Sequence, residues 1–336
     1  MLAVPKLPLQ DKPILLRPLM PRDQLNALGL WQAAFGKTLD SSVWQWKYQG
    51  TFGNKCMVAE HASGELIAMF GGVPYQAHCR GKRLEAVHLW DNMSHPDYRG
   101  VMGGRRGVFV KTVDAFIDAY CGDNKAAMLY GFPGERHFRL GQHTLQYSRL
   151  AGGMVCLQAE LRDLAFTSKS GGVERLLNAD ERLDRLAEVF DGIYSFWIRR
   201  DRRFIEWRYF QHPHQSYWVY GFPRGWSGAL HGLMVMTSAD QAGEGVVVDF
   251  LLPPREQDAL AFLAGMVREW LWLEWQKVRV WMPSRSPYRK FWERVGFQAI
   301  PEPIGIIPTG RSFSSGLDWT WASNNFFYTM GDGDLF

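Results

Sequence analysis

Four landmarks occur twice in this chain, in the same order and at offsets of about 150 to 160 residues. Phe35 is followed by Trp44-Gln45-Trp46-Lys47-Tyr48, and Phe190 by Phe204-Ile205-Glu206-Trp207-Arg208-Tyr209. Leu89-Trp90-Asp91 runs into His95-Pro96, and Val247-Val248-Asp249 into Pro253-Pro254. Leu129-Tyr130-Gly131-Phe132-Pro133 is matched by Val280-Trp281-Met282-Pro283, and Gly141 by Gly296. Chance gives one such recurrence; four in order argue for a duplicated domain. A chain of 336 residues has room for two domains of ordinary size.

Each half follows one pattern. A short helix (Gln24 to Phe35; Glu181 to Phe190) precedes the aromatic triplet. Alternating strands follow: Cys56 to Glu60, Leu66 to Gly72 and Leu84 to Met93, then Tyr217 to Tyr220, Ala229 to Met236 and Val246 to Leu252. A longer amphipathic helix comes next. Phe109, Val113, Phe116, Ile117 and Tyr120 share one face in the first half, and Leu260, Leu263, Val267, Trp270 and Leu271 in the second. A last strand ends in proline, and a short helix ends at glycine. The pattern predicts an α/β protein of two domains in tandem, 1–155 and 173–336, each with a mixed, mostly antiparallel sheet flanked by helices. The linker is expected between Ala151 and Gly172, where Ser168, Ser170, Gly171 and Gly172 cluster.

With 46% hydrophobic residues, including 15 Trp and 21 Phe, core material is ample. A net charge of +4 suits anionic ligands and does not point to a nucleic-acid binder. Cys56, Cys79, Cys121 and Cys156 lack metal or disulfide-framework spacing, which fits a reducing compartment. The opening Met1 to Lys12 does not read as a signal peptide, and no apolar run is long enough to span a membrane. A cytoplasmic protein is expected, free to form a homodimer.

The stretch His95-Pro96-Asp97-Tyr98-Arg99-Gly100-Val101-Met102-Gly103-Gly104-Arg105-Arg106 joins the strand-like Leu84 to Met93 to the helix-like Gly103 to Tyr120. Such a turn aims free backbone N–H groups and the positive end of a helix at one point, which suits a phosphate or pyrophosphate. Its glycines let the backbone approach an anion closely, and three arginines stand beside them. A nucleotide-like cofactor is the expected ligand.

Strand, Arg-Gly-rich turn, long helix, strand and short helix, in that order, resemble the GNAT superfamily of N-acetyltransferases. The opening Leu15-Leu16-Arg17-Pro18 before Pro21-Arg22-Asp23 looks like its first strand and helix, and the ending Phe326-Phe327-Tyr328-Thr329 before Gly331-Asp332 is similar to tandem members. The family's cofactor motif is Arg/Gln-x-x-Gly-x-Gly/Ala. Here Arg99 takes the first place and Gly104 the last, while Met102 stands where the middle glycine is usual, with Gly103 beside it. The resemblance implies acetyl-CoA as co-substrate, held by Met93, Ser94, Arg99, Gly100, Val101, Met102, Gly103, Gly104 and Arg105. The second half has Pro254-Arg255-Glu256-Gln257-Asp258 at the equivalent turn, without glycine, so one cofactor site per chain is expected, in the first half.

Acetyl transfer to an amine asks for a general base, a backbone donor for the thioester oxygen and a proton for the leaving thiolate. Asp91 is the candidate base, or else a capping carboxylate; His95 is a second candidate, or a turn residue. The family's proton donor is a tyrosine four residues before the glycine of the short helix, and that place holds His137 in the first half and Trp292 in the second. His137 or Tyr130 is expected to serve, although a helix-surface imidazole and a core phenol are the plain alternatives. The aromatic triplets read as packing or as a sugar platform, Arg199 to Arg203 as a solvated face or an anion contact, and Asp332 and Asp334 as a solvated terminus or a cation lure. His212-Pro213-His214 has no metal-ligand spacing. The leading expectation is an N-acyltransferase acting on a small-molecule amine acceptor or an amino sugar. A Fem-like aminoacyl transferase using charged tRNA and a non-catalytic GNAT-fold binding module are the alternatives.

Overall fold

Two nearly unbroken apolar runs, Leu66 to Val73 and Val246 to Leu252, lie buried along their whole length, because a strand covered on both faces must be apolar throughout. They place the centre of one sheet each in the computed structural model, which describes residues 13–99, 107–164, 171–239 and 241–335. The chain forms two compact units, Met1–Val73 with Leu89–Cys121, and Pro74–His88 with Gly122–Phe336.

In the first unit, strand β1 (Ile14–Pro18) leads through a short 3-10 turn into helix α1 (Gln24–Phe35) and helix α2 (Ser41–Gln49). Gly36 ends α1 in the left-handed region, and the Asp40 carboxylate caps α2 by accepting from the Ser42 N–H. Strands β2 (Lys55–His61) and β3 (Leu66–Cys79) follow, β3 running on into the second unit. After β4 (Lys82–Leu89) come the two-residue β5 (Met93–Ser94) and helix α3 (Val108–Tyr120). Pairing is antiparallel, with Ile14 opposite His61, Lys55 opposite Gly72 and Ala68 opposite Ser94. One face packs Ala27, Leu30, Trp44, Tyr48, Val58, Met69 and Met93 together, and the other packs Ala59, Ile67 and Ala68 on Val108.

The second unit continues with β6 (Ala126–Gly131), parallel to β4, helix α4 (Glu135–Leu145), β7 (Ser148–Arg149) and β8 (Met154–Glu160). Then come β9 (Glu174–Leu176), α5 (Arg182–Asp191), β10 (Phe196–Ile198), α6 (Arg202–Ile205) and a π-helical turn, Glu206–Phe210. The antiparallel run β11 (Trp218–Arg224), β12 (Ala229–Ser238) and β13 (Glu244–Leu251) leads into α7 (Glu256–Trp272) and β14 (Lys277–Pro283), parallel to β13. Last are α8 (Arg289–Arg294), β15 (Gln298–Ile300), β16 (Thr309–Ser312), α9 (Trp319–Asn325) and β17 (Phe326–Phe327).

The sheets are thus mixed and mostly antiparallel, with orders β1-β2-β3-β4-β6-β16-β7 and β15-β8-β14-β13-β12-β11-β9. They exchange strands. β16 lies between β6 and β7, and β8 between β14 and β15. The stretch expected as a linker therefore contains a full strand, Met154–Glu160, whose alternation the serine and glycine cluster downstream had masked. Gly141 is a second correction. It sits inside α4 and does not end it, because a Cβ there would come within 2.2 Å of the Tyr147 ring. Among the described residues, no helix is long and apolar enough to cross a membrane.

Arg17 ties β1 to the entry of α1. Its guanidinium grips Asp23 at 2.6 and 2.8 Å and Glu60 at 2.6 Å. Burial alone would raise the Asp23 pKa, but the hydrogen bonds from Arg17 and the Met20 N–H outweigh it and hold the pKa below its ordinary value. A depressed folded-state pKa gives stability that is present above the unfolded value, about 4, and lost as pH falls through the folded value. Asp23→Asn is expected to cost about 1–3 kcal/mol at neutral pH, as for a lost charge-assisted pair. In urea unfolding the gap to wild type should close as pH drops below about 4; a gap that stays constant with pH would refute the ionic account.

Candidate active site

The ladder breaks just beyond β4. Trp90, Asp91 and Asn92 interrupt it, with Asp91 at φ +50°, before β5 resumes. The expected single strand from Leu84 to Met93 is therefore two strands around a bulge. The bulge satisfies its own polar groups: the Trp90 N–H donates to the Gly71 carbonyl at 3.0 Å, and Asn92 Oδ1 accepts the Gly71 N–H at 2.9 Å.

The aromatic triplet and the strand-end aspartate, two separate landmarks in the sequence, meet here. Tyr48 from α2 donates its hydroxyl to Asp91 Oδ2 at 2.7 Å, and Lys47 Nζ lies 3.0 and 3.2 Å from the same carboxylate. The Lys47 and Asp91 side chains are 9% and 7% exposed, so the pair is shielded from water. Lys47 also lies over the Trp90 ring at 4.7 Å.

The second half repeats the device. Tyr209 donates to Asp249 Oδ2, again at 2.7 Å. The cation differs. Arg200, fully buried, holds Asp249 at 2.9 Å and forks onto Asp332, while Arg208 turns to the Tyr217 hydroxyl and the Gly333 carbonyl. Thr329 completes the cluster by donating to Asp249 Oδ1 at 2.7 Å. Burial alone would depress the Arg200 pKa, but Asp249 and Asp332 hold it well above its ordinary value. Burial raises the Asp332 pKa, and Arg200 offsets only part of that. Arg200 is thus no member of a solvated face and Asp332 no part of a frayed end; each is buried because the other neutralises it.

His95 opens the turn after β5, its Nδ1 accepting the Asp97 N–H at 3.3 Å. Arg99 spends its guanidinium on backbone carbonyls, Ser94 at 2.9 and 3.2 Å and Ala34 at 3.2 Å. Met93 points into the core and Ser94 is partly buried. Gly100, Val101, Met102, Gly103, Gly104 and Arg105 lie outside the described residues. Beyond them α3 begins at Gly107 with no side-chain cap and no acidic residue in its first turn. The corresponding helix of the second half, α7, carries Glu256 and Asp258 in its first turn, each met by an arginine (Arg294 and Arg224).

Tyr130 and His88 form the last register pair between the parallel strands β4 and β6. Their rings stack at 4.9 Å and 11°. The Tyr130 hydroxyl is buried without a hydrogen-bond partner, and burial raises its pKa well above the ordinary value. His137 lies on the exposed side of α4, yet crowding about its ring, with Arg136 adding repulsion, lowers its pKa. Asp91 belongs to the first unit; Tyr130 and His137 belong to the second. From the sequence, Lys47 and Tyr48 read only as part of a triplet for packing or sugar stacking, Arg200 as part of a run for a solvated face or an anion contact, and Thr329 had no site role, although the near-constant spacing of tyrosine to aspartate, 43 and 40 residues, was a readable sign.

The pair geometry makes a direct prediction. Lys47→Met leaves a buried carboxylate without its cation and should cost about 3–5 kcal/mol, whereas Lys47→Met with Asp91→Asn should recover much of it. Urea unfolding of the four proteins of the cycle tests this, and additive losses would show the two charges to be independent.

Comparisons with known proteins fit this architecture. A family model described as an acetyltransferase (GNAT) domain matches residues 16–140. A probable N-acyltransferase from Enterococcus faecalis V583 superposes with a TM-score of 0.66 at 13% identity, over 90% of this chain and 73% of that one. A GCN5-related N-acetyltransferase from Kribbella flavida gives 0.65 at 15%, over 90% and 71%. The GCN5-related glucosamine N-acetyltransferase region of a fungal multi-domain GH3 beta-N-acetylglucosaminidase gives 0.55 at 13%, over 89% of this chain and 38% of that one. No curated protein matches the chain in sequence. At these identities the likeness establishes the fold, which is that of the GNAT superfamily, with two similarly built sheets.

Proposed function

We propose that this GNAT-fold chain is an N-acyltransferase that moves an acetyl group from acetyl-CoA to a primary amine of a small molecule or amino sugar. The observation that carries the reading is the asymmetry between the two halves. In the first, the helix after the strand-end bulge starts with no side-chain cap and no carboxylate in its first turn, so its positive end favours an anion. In the second, Glu256 and Asp258 already supply the negative charge at that helix start. Beyond the last β13–β14 pair, Val247 with Val280, Phe250 is covered by Phe327 and Tyr288 at 5.9 and 6.0 Å, and Thr329 sits on Asp249. These contacts support one cofactor site, in the first half.

In this reading Gly100 to Arg105 cradle the pyrophosphate, with Met93, Ser94 and Arg99 shaping the approach. The cofactor supplies an activated acyl group on a good leaving thiol. Asp91, fixed by Lys47 and Tyr48, takes the proton of the acceptor ammonium through water, and Tyr130 or His137 returns a proton to the departing sulfur. The amino-sugar option draws on the fungal glucosamine N-acetyltransferase region that shares the fold. The non-catalytic reading draws on the same site, since the Asp91 carboxylate and the Arg99 guanidinium already have protein partners.

Calorimetric titration of acetyl-CoA separates the two. Saturable micromolar binding that Gly104→Trp abolishes, followed by amine-dependent release of free thiol, is the expected result. Binding without thiol release across an amine panel would favour the binding module, and no binding near millimolar cofactor would remove the acyltransferase reading.

A further inference from the structure

A groove of about 380 Å³ opens in the first unit between α1 and the turn joining β2 to β3. That is the lower end of the size range for small-molecule sites. Leu30 and Leu66 form its apolar floor, and Ser63, Gly64, Glu65 and His95 supply its polar wall. Asn26 donates to the Gly64 carbonyl at 3.1 Å and so fastens the turn to the helix.

Charge decides what fits. Among the described residues no lysine or arginine lines the groove, and the formal charge there is the Glu65 carboxylate, half-exposed. The nearest cationic candidate is His95 Nε2, at 3.8 Å, too far for a hydrogen bond. Because His95 Nδ1 accepts the Asp97 N–H, the neutral ring carries its proton on Nε2 and faces Glu65 as a donor only. Glu65, the Gly64 carbonyl and the Ser63 hydroxyl present acceptors. An anion is repelled, and an ammonium is matched.

Gly29 keeps the helix side of the groove low: it stands on the exposed face of α1, and a Cβ there would meet nothing within 4 Å, which leaves room for a ligand along the helix.

The geometry points to a binding site for a primary ammonium on a short aliphatic stem, its head on Glu65 and its stem over Gly29 and Leu30. Asp91 does not line the groove, and the site does not depend on the acyltransferase reading. The ligand is an effector amine, distinct from the acceptor that Asp91 would serve.

NMR titration of the full chain with n-butylammonium, and with 1-butanol as the uncharged probe, tests the site. Saturable shifts at Gly29, Ser63, Gly64 and the His95 ring are expected with the ammonium alone. Glu65→Gln should weaken binding about tenfold or more. Gly29→Leu should abolish it with no loss in thermal midpoint, since the added side chain has open space. With acetyl-CoA present, unchanged butylammonium binding is expected of an effector site, and mutually exclusive binding of the two would overturn that assignment. Absent or non-saturating shifts, equal response to 1-butanol, or full binding in Glu65→Gln would overturn the proposal. Failure of acetyl-CoA to bind would leave the groove result standing.

Discussion

A tyrosine hydroxyl on a strand-end aspartate, made once in each half, is the contact around which both halves are arranged. Shielding the aspartate makes it costly to leave uncompensated, so a cation must come with the tyrosine. In the first half the neighbouring residue of the same triplet, Lys47, supplies it. In the second the triplet's Arg208 is drawn elsewhere, and Arg200 takes over from a charged run whose Arg202 and Arg203 are exposed. That substitution changes the charge count. Arg200 reaches a second carboxylate, Asp332, which brings Thr329 to Gly333 into the cluster. Gly331 fits only because it lacks a side chain: a Cβ would stand 2.2 Å from the Tyr209 hydroxyl.

The duplicated contact also separates the halves chemically. In the first, the aspartate forces a left-handed turn into a strand and leaves the next helix start free of its own charge. In the second, aromatic side chains and the tail cover the strand end, and glutamate and aspartate occupy the helix start. The two helix starts thus differ in charge: α7 carries two acidic residues in its first turn and α3 none.

Much of this was legible in the sequence. The repeat located both aspartates and both triplets, and the bounds of α1, Gln24–Phe35, followed from its apolar spacing and the glycine after it. The links between those landmarks were hidden, because pattern reading places residues on elements and not against partners some forty positions away. Arg200 shows the limit most clearly: five consecutive charged residues read as a solvated face or an anion contact, and Asp249 and Asp332, 49 and 132 residues downstream, hold Arg200 inside. The bulge at Asp91 broke a run that alternation alone could not interrupt. Gly141 carried a helix-end signature but serves close packing on Tyr147. The turn from Gly100 to Arg105 carries the anion argument on sequence alone.

The exchange of β8 and β16 bears on how the chain comes to be folded. As the chain is synthesised, the edge of β6 stays open until Thr309–Ser312 is made, and β8 has no sheet to join until Lys277–Pro283 follows. An open strand edge is a template for the wrong partner. The two sheets therefore close late and nearly together, through pairings of long sequence separation, which makes for slow folding and a long exposure to misassembly. Duplication by itself would have given two halves able to fold one after the other; with β16 paired to β6, a sheet edge begun in the first half is completed only by the second.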